Sequence, residues 1–203
     1  MQTFGELMFT QDVRDIQEER GSRQHYALGY RRLGLGPDER NFIETRTHFY
    51  MATVNSDGWP YVQHRGGPAG FLTVLDEETL AFADYPGNRQ YVSTGNLAGD
   101  NRVSLFLVDY PRRARLKILA QAEVVAVEDA PELAAKLTAP EKIMPTHVTR
   151  LTVTALDWNC PKYITPRFTE ADIDQMLGPE MRRMAGRIEE LEAELAALRK
   201  GKE

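Results

Sequence analysis

Apolar and polar residues alternate through the middle of the chain and recur every three or four positions toward its ends. The alternation begins in HFYMATVNSDGWPYVQHR, where two β-rich runs flank Asn55-Ser56-Asp57-Gly58. Asn, Asp and Gly accept the tight backbone of a two-strand turn, so this cluster predicts a hairpin. Runs of the same texture follow as GFLTVLD, TLAFADY, RVSLFLVDY, RLKILAQAEVVAVE and HVTRLTVTALDWN. Short connections make successive strands antiparallel, and six or so of them predict a small barrel, closed or nearly so. The expected fold is therefore mainly β: a six-stranded antiparallel Greek-key barrel with flanking helices. Two helix-like stretches, NRQYVSTGNLAG and APELAAKLTAPEK, interrupt the strands.

The ends of the chain are helical in pattern. TQDVRDIQEERG can be capped by Thr10 and stopped at Gly21, and GPDERNFIETRTH places Pro37 in a first helical turn. Residues 1–47 are read as a helical segment lying on the barrel, and residues 48–168 as the barrel itself. Residues 169–203 open with a Thr169 cap, break at Gly178-Pro179 and continue as a helix to about Lys200. Leu177, Met181, Met184, Ile188, Leu191, Leu195 and Leu198 are spaced alternately four and three apart, a heptad seam. A lone helix carrying that stripe is marginal in water. Glutamates and arginines keep its other faces solvated, which favours contact with a second chain over packing on its own domain.

Composition narrows the function. With 42% hydrophobic and 27% charged residues, the 203-residue chain reads as an ordinary globular protein. A net charge of -5 argues against a nucleic-acid partner, which would need a basic face. No run approaches the roughly 20 apolar residues of a membrane span. The opening MQTFGELMFTQDVRD lacks a signal peptide's apolar core, and the single Cys160 leaves no intrachain disulfide. A cytoplasmic setting follows as the expectation.

Three stretches carry candidate chemistry. In YVQHRGGPAG, paired glycines end a strand; they form a turn or bulge, or they let a ligand approach the backbone. In FADYPGNRQYVSTGNL, a strand leads through a turn to a helix expected to begin at Asn88-Arg89-Gln90. An Arg there opposes the helix dipole unless an anion sits beside it. In LDWNCPKYITPRF, aromatic and polar groups lie between prolines, either as a lid or with Trp158 tucked into the core.

Taken in order, MATVNSDGWPYVQHR, TLAFADYPGNRQ, RVSLFLVDY, RLKILAQAEVV and a late Trp with an Arg nine residues on resemble the pyridoxamine 5'-phosphate oxidase superfamily of split barrels. The resemblance covers residues 40–168. It implies a homodimer with FMN in a cleft between two barrels. Gln63, His64, Arg65, Gly66 and Gly67 would line the flavin ring and ribityl chain, with Ala83 and Asp84 beside that chain. Asn88, Arg89 and Gln90 would hold the phosphate, and Arg115, Trp158 and Arg167 would reach over from the partner. The sequence departs from the true oxidases at Pro68, where they carry a substrate-binding Lys. It also lacks their Arg-x-His pair between Trp158 and Arg167. The cofactor and fold carry over; the substrate does not.

The expected function is an FMN-dependent oxidoreductase, in which hydride passes through flavin N5 between the cofactor and a small molecule or nicotinamide. No Ser-His-Asp or metal-ligand pattern competes with it. Of the histidines at 25, 48, 64 and 147, only His64 falls in a candidate site, as a proton donor to the flavin or as a structural residue. The alternative is a non-catalytic flavin- or heme-binding protein, with His64 or His147 as the axial ligand to test. A deazaflavin could also replace FMN.

Overall fold

The computed structural model describes residues 2–27, 34–85, 87–137, 144–159 and 162–200. Two compact units divide the chain: residues 1–109 with 114–162, and residues 110–113 with 163–203. The first unit holds β1 (His48–Val54), β2 (Pro60–Gly66), β3 (Thr73–Val74), β4 (Thr79–Asp84), β5 (Arg102–Asp109), β6 (Ala114–Ala126) and β7 (His147–Asn159). They form one antiparallel sheet in the order β2-β1-β5-β6-β7-β4-β3.

Six closing strands were expected, whereas seven form an open sheet. The expected GFLTVLD run supplies the edge strand β3 but keeps only two residues of it, and among the described residues no backbone ladder joins β3 to β2 at the other edge. The halves share a ribbon, because β6 and β7, each 13 residues long, pair from Arg115↔Asn159 to Ala126↔His147. An irregularity between Leu119 and Ala120 lets that ribbon bend. β5 lies against the first half of β6 and β4 against the first half of β7, so each end of the ribbon carries its own half sheet.

Period-two alternation builds the core. Phe49, Met51 and Thr53 of β1 point inward, as do Leu105 and Leu107 of β5, Leu116 and Ile118 of β6, and Leu151 of β7. Each such apolar side chain contributes roughly 1.5–3 kcal/mol on burial, before entropy is subtracted. β4 is buried on both faces: Leu80 and Phe82 enter the main core, while Ala81 and Ala83 join Val148 and Leu137 in a second cluster. Leu133 and Ala134 of α6 (Pro131–Lys136) pack on that cluster, which explains why TLAFAD reads as continuously apolar.

Short helices precede the sheet: α1 (Phe4–Met8), α2 (Gln11–Glu19), α3 (Arg23–Ala27) and α4 (Pro37–Glu44). Thr10 caps α2 by accepting from the Val13 N–H, and Gly21 ends it at φ +68°. α4 begins at Pro37 and presses Phe42 and Ile43 into the core. Three polar contacts fix it there. Arg46 pairs with Asp109 at 2.8 Å, Arg40 donates to the Val74 carbonyl at 2.8 Å, and Trp158 Nε1 donates to Glu39 Oε1 at 2.7 Å. The Trp158 ring also meets Phe42 edge-on at 4.8 Å.

The two ends of the strand order meet through side chains. Arg65 of β2 pairs with Asp84 of β4 at 2.5 Å, although four strands lie between them in the sheet. Below this pair, Phe49 stacks on Phe71 and meets Phe82 edge-on. Gly67 allows that packing: its N–H donates to the Thr47 carbonyl, and a Cβ there would lie 2.7 Å from Phe71 Cγ. The group that approaches this glycine is thus the chain's own Phe71.

The β1–β2 hairpin turns as expected. The Asn55 side chain accepts from the Asp57 and Trp59 N–H groups, and Gly58 takes φ +85°. Along β2, Tyr61, Gln63 and Arg65 are half-buried, while Val62, His64 and Gly66 are exposed on the opposite face. On that outward face His48 stacks on His64 at 5.6 Å, and Tyr50 lies edge-on to both rings. Burial, then the His64 and Arg46 charges, lowers the His48 pKa below 6.5.

The second unit is dominated by α7 (Glu170–Lys200). Thr169 starts it as expected, accepting from the Asp172 N–H at 3.2 Å while its own N–H donates to Asp172 Oδ2 at 2.8 Å. The expected break at Gly178-Pro179 is absent, and the helix runs through Pro179. Proline removes its own N–H and frees the Gln175 carbonyl, which on this exposed helix can turn to water. No residue of α7 is buried.

Gly67→Ala is expected to destabilise the fold by about 1–3 kcal/mol, because the buried Phe71 ring must shift. Gly95→Ala, in a helix interior with no atom within 4 Å of the new Cβ, is expected to stabilise by about 0.5–1 kcal/mol. Urea titration of both variants checks the contrast. His48 has a second, pH-linked effect. Its lowered folded pKa favours the neutral ring, so its contribution is complete above the unfolded value and lost as pH falls through the folded one. Denaturant stability should therefore fall from about pH 7 to about pH 5, and His48→Gln should flatten that slope.

Candidate cofactor site

Asp84 closes β4, and the chain passes through Tyr85 and Gly87 to a bend at residues 88–90 before α5 (Val92–Gly99). The helix starts one turn later than the sequence suggested. Its N-cap, Tyr91, takes φ +52°, and Arg89 takes φ +61°. Left-handed backbone at two non-glycine residues costs energy, and such strain concentrates at ligand sites. No side chain caps the first turn of α5. Asn88, Arg89 and Gln90 are all exposed, and the Asn88 side chain accepts from the Gln90 N–H at 3.1 Å. Exposed cation, strained bend and uncapped helix start together form a place for an anion.

Two hydrogen bonds fix α5 to the hairpin. Ser93 Oγ donates to Gln63 Oε1 at 2.6 Å, and Asn96 Nδ2 donates to Thr53 Oγ1 at 2.9 Å. The first bond brings the helix start beside the inward face of β2, where Gln63 is followed two residues on by Arg65. Arg65 gives one nitrogen to Asp84 and lies 5.5 Å from the centre of the Phe82 ring. Its Nε is buried without a hydrogen-bond partner. A buried, unpaired N–H on a cation is a donor awaiting an acceptor. Gln63, Arg65, Asp84, Ser93 and the 88–90 bend thus form one polar tract, which suits a ligand with a phosphate at one end and hydrogen-bond acceptors along its length.

Other expected site residues lie elsewhere. His64 faces away from Gln63 and Arg65, as period two requires. Gly66 lies beside His64, and Gly67 makes room for Phe71. The Ala83 side chain points into the second apolar cluster, on the face opposite Asp84. Arg115 is half-buried at the start of β6, opposite Asn159. Trp158 takes the tucked arrangement, with its N–H given to Glu39 of its own chain. Arg167 belongs to the second unit, with its guanidinium 5.0 Å from the centre of the Tyr110 ring. Pro86, Cys160 and Pro161 of the motif stretches lie outside the described residues.

Sequence reasoning missed Ser93, whose signal was a small hydroxyl residue at a helix start. It also missed Tyr85, whose hydroxyl is buried without a partner and whose pKa burial raises. Among the described residues, no His, Cys, Asp and Glu cluster could hold a metal ion, and no helix is long and apolar enough to cross a membrane.

Several solved structures are similar to the chain. A protein provisionally described as a pyridoxamine 5'-phosphate oxidase from Lactobacillus delbrueckii is 25% identical, with a TM-score of 0.49, over 63% of this chain and 97% of its own. HupZ of Group A Streptococcus is 14% identical, with a TM-score of 0.47, over 66% and 98%. A Clostridium acetobutylicum protein related to general stress protein 26, of the pyridoxinephosphate oxidase family, is 13% identical, with a TM-score of 0.44, over 60% and 85%. No curated protein matches. The profile of one family, pyridoxamine 5'-phosphate oxidase, matches residues 35–159, from the approach to α4 to the end of β7. The match spans more than half of the chain and all seven strands, and the protein belongs to the pyridoxamine 5'-phosphate oxidase family.

Proposed function

We propose that the protein is an FMN-dependent oxidoreductase that moves hydride between the flavin and a small molecule or nicotinamide. The observation that carries this reading is the polar tract running from the unpartnered Arg65 Nε to the uncapped start of α5. Arg89, Asn88 and the first N–H groups of α5 would hold the phosphate. Gln63 and Arg65 would hydrogen-bond the remainder of the cofactor, and Asp84 would keep the Arg65 guanidinium oriented. Bound FMN would supply hydride transfer at N5, which no side chain can provide. Arg115 and Arg167 are the groups through which a second protomer would complete the site. Trp158 is not among them, because its N–H is committed to Glu39.

Family membership does not bring its named substrate with it. Pro68 replaces the expected Lys, and NCPKYITP contains no Arg-x-His pair, so the phosphate of pyridoxamine 5'-phosphate has no evident partner. The substrate is instead a small molecule without that requirement.

Comparing FMN with riboflavin tests the site. Arg89→Ala should weaken FMN binding about tenfold to a hundredfold, the worth of one charge-assisted hydrogen-bonding group, and leave riboflavin affinity unchanged. Fluorescence titration of the purified protein reads both. Unchanged FMN affinity would remove the phosphate from this bend. A protein that ignores flavin and shows a Soret band with heme would instead favour the heme-binding alternative, with exposed His64 or His147 as the ligand.

A further inference from the structure

Met181, Ile188 and Leu195 occupy the a positions of the α7 heptads, and Leu177, Met184, Leu191 and Leu198 the d positions. All seven are between 41% and 65% exposed, on a 31-residue helix about 46 Å long. A helix of this kind holds in water only when another apolar surface covers its stripe. The flanking charges identify the cover. The g positions are Glu180, Arg187 and Glu194, and the e positions five residues after them are Ala185, Glu192 and Arg199, so the last two g residues have a charged counterpart.

In a parallel, in-register pair each g residue faces the partner's following e residue. Arg187 then meets the partner's Glu192, and Glu194 meets the partner's Arg199. Two-fold symmetry doubles these to four attractive pairs. Antiparallel alignment of the same apolar layers opposes Arg187 to the partner's Glu194 but sets Glu192 against Ala185 and Arg199 against Gly178. Ile188 at a followed by Leu191 at d is also the pairing that favours two parallel strands. Arg187 contacts its own Glu190 at 2.9 Å, an exposed pair easily exchanged for one across an interface.

We infer that α7 is a dimerisation element, joining a second copy of this chain as a parallel, in-register two-stranded coiled coil over residues 177–198. This inference does not rest on the cofactor reading.

Thiol cross-linking of the full-length chain tests it, with Cys160→Ser removing the native thiol. Leu198→Cys places one thiol per chain in a d layer, where a parallel pair sets the two copies opposite each other within disulfide reach. Ala193→Cys, at an outward f position, reports random collision. Both substitutions fall on exposed positions that support no core. Under mild oxidation at micromolar protein, Leu198→Cys should form covalent dimer about a hundredfold faster than Ala193→Cys, as a millimolar effective concentration implies. Equal rates would overturn the inference. So would cross-linking found only when Met181→Cys chains are mixed with Leu198→Cys chains, since that outcome marks an antiparallel pair.

Discussion

The Arg65–Asp84 ion pair is the contact on which the rest of the barrel unit depends. A sheet whose ladder is open at both edges exposes them unless it curls, and here one charged pair joins β2 to β4. Both side chains are mostly buried, so the attraction is partly offset by the cost of leaving water, and net stability is not its main contribution. Position is: a guanidinium can hold one carboxylate only in a narrow geometry, which fixes the register between two strands that share no backbone bonds. The Phe49, Phe71 and Phe82 rings supply apolar burial beneath it, and Gly67 leaves space for that packing.

The same pair shapes the candidate site. Asp84 engages one Arg65 nitrogen and leaves Nε buried and unpaired, and four residues after Asp84 the 88–90 bend begins, with Arg89 in left-handed backbone. Closure of the fold and readiness for a polar ligand therefore have one origin. The Ser93–Gln63 bond extends the arrangement to the start of α5. Beside it Arg89 and Tyr91 take left-handed backbone, a pattern that clusters at functional sites.

Features that depend on neighbouring residues were legible in the sequence. The Asn55–Gly58 turn, the Thr10 and Thr169 caps, Pro37 at the head of α4 and the buried strand runs all follow from local chemistry. Features set across the fold were not. GFLTVLD keeps only Thr73–Val74 as strand, a shortening its apolar texture does not reveal, and the side-chain link between β2 and β4 leaves no repeating signal. The Trp158–Glu39 bond spans 119 positions. His64 is a different case, because alternation along YVQHR already separated it from Gln63 and Arg65, and treating the motif as one lining hid that. The paired glycines had a nearer explanation as well: Gly67 serves the chain's own Phe71. Of the expected site residues, Arg65 and Asp84 are joined by an ion pair and Gln63 is bonded to Ser93, while Asn88 bonds Gln90 in the bend between Asp84 and Ser93; the break at Pro179 failed because solvent can satisfy the carbonyl it frees.

Barrel and helix answer different needs. In the first unit apolar groups are buried and a few polar atoms are left to seek a ligand, whereas in the second an apolar seam is left to seek a partner. The central claim concerns the first, that one polar tract holds the cofactor. A crystal structure of the full-length protein grown with FMN tests it most directly. The account predicts the phosphate within hydrogen-bonding distance of Arg89 and the first N–H groups of α5, with Arg65 Nε donating to the cofactor. A flavin seated instead on the outward face beside His64 and His48, with Arg65 Nε still unpaired, would contradict it.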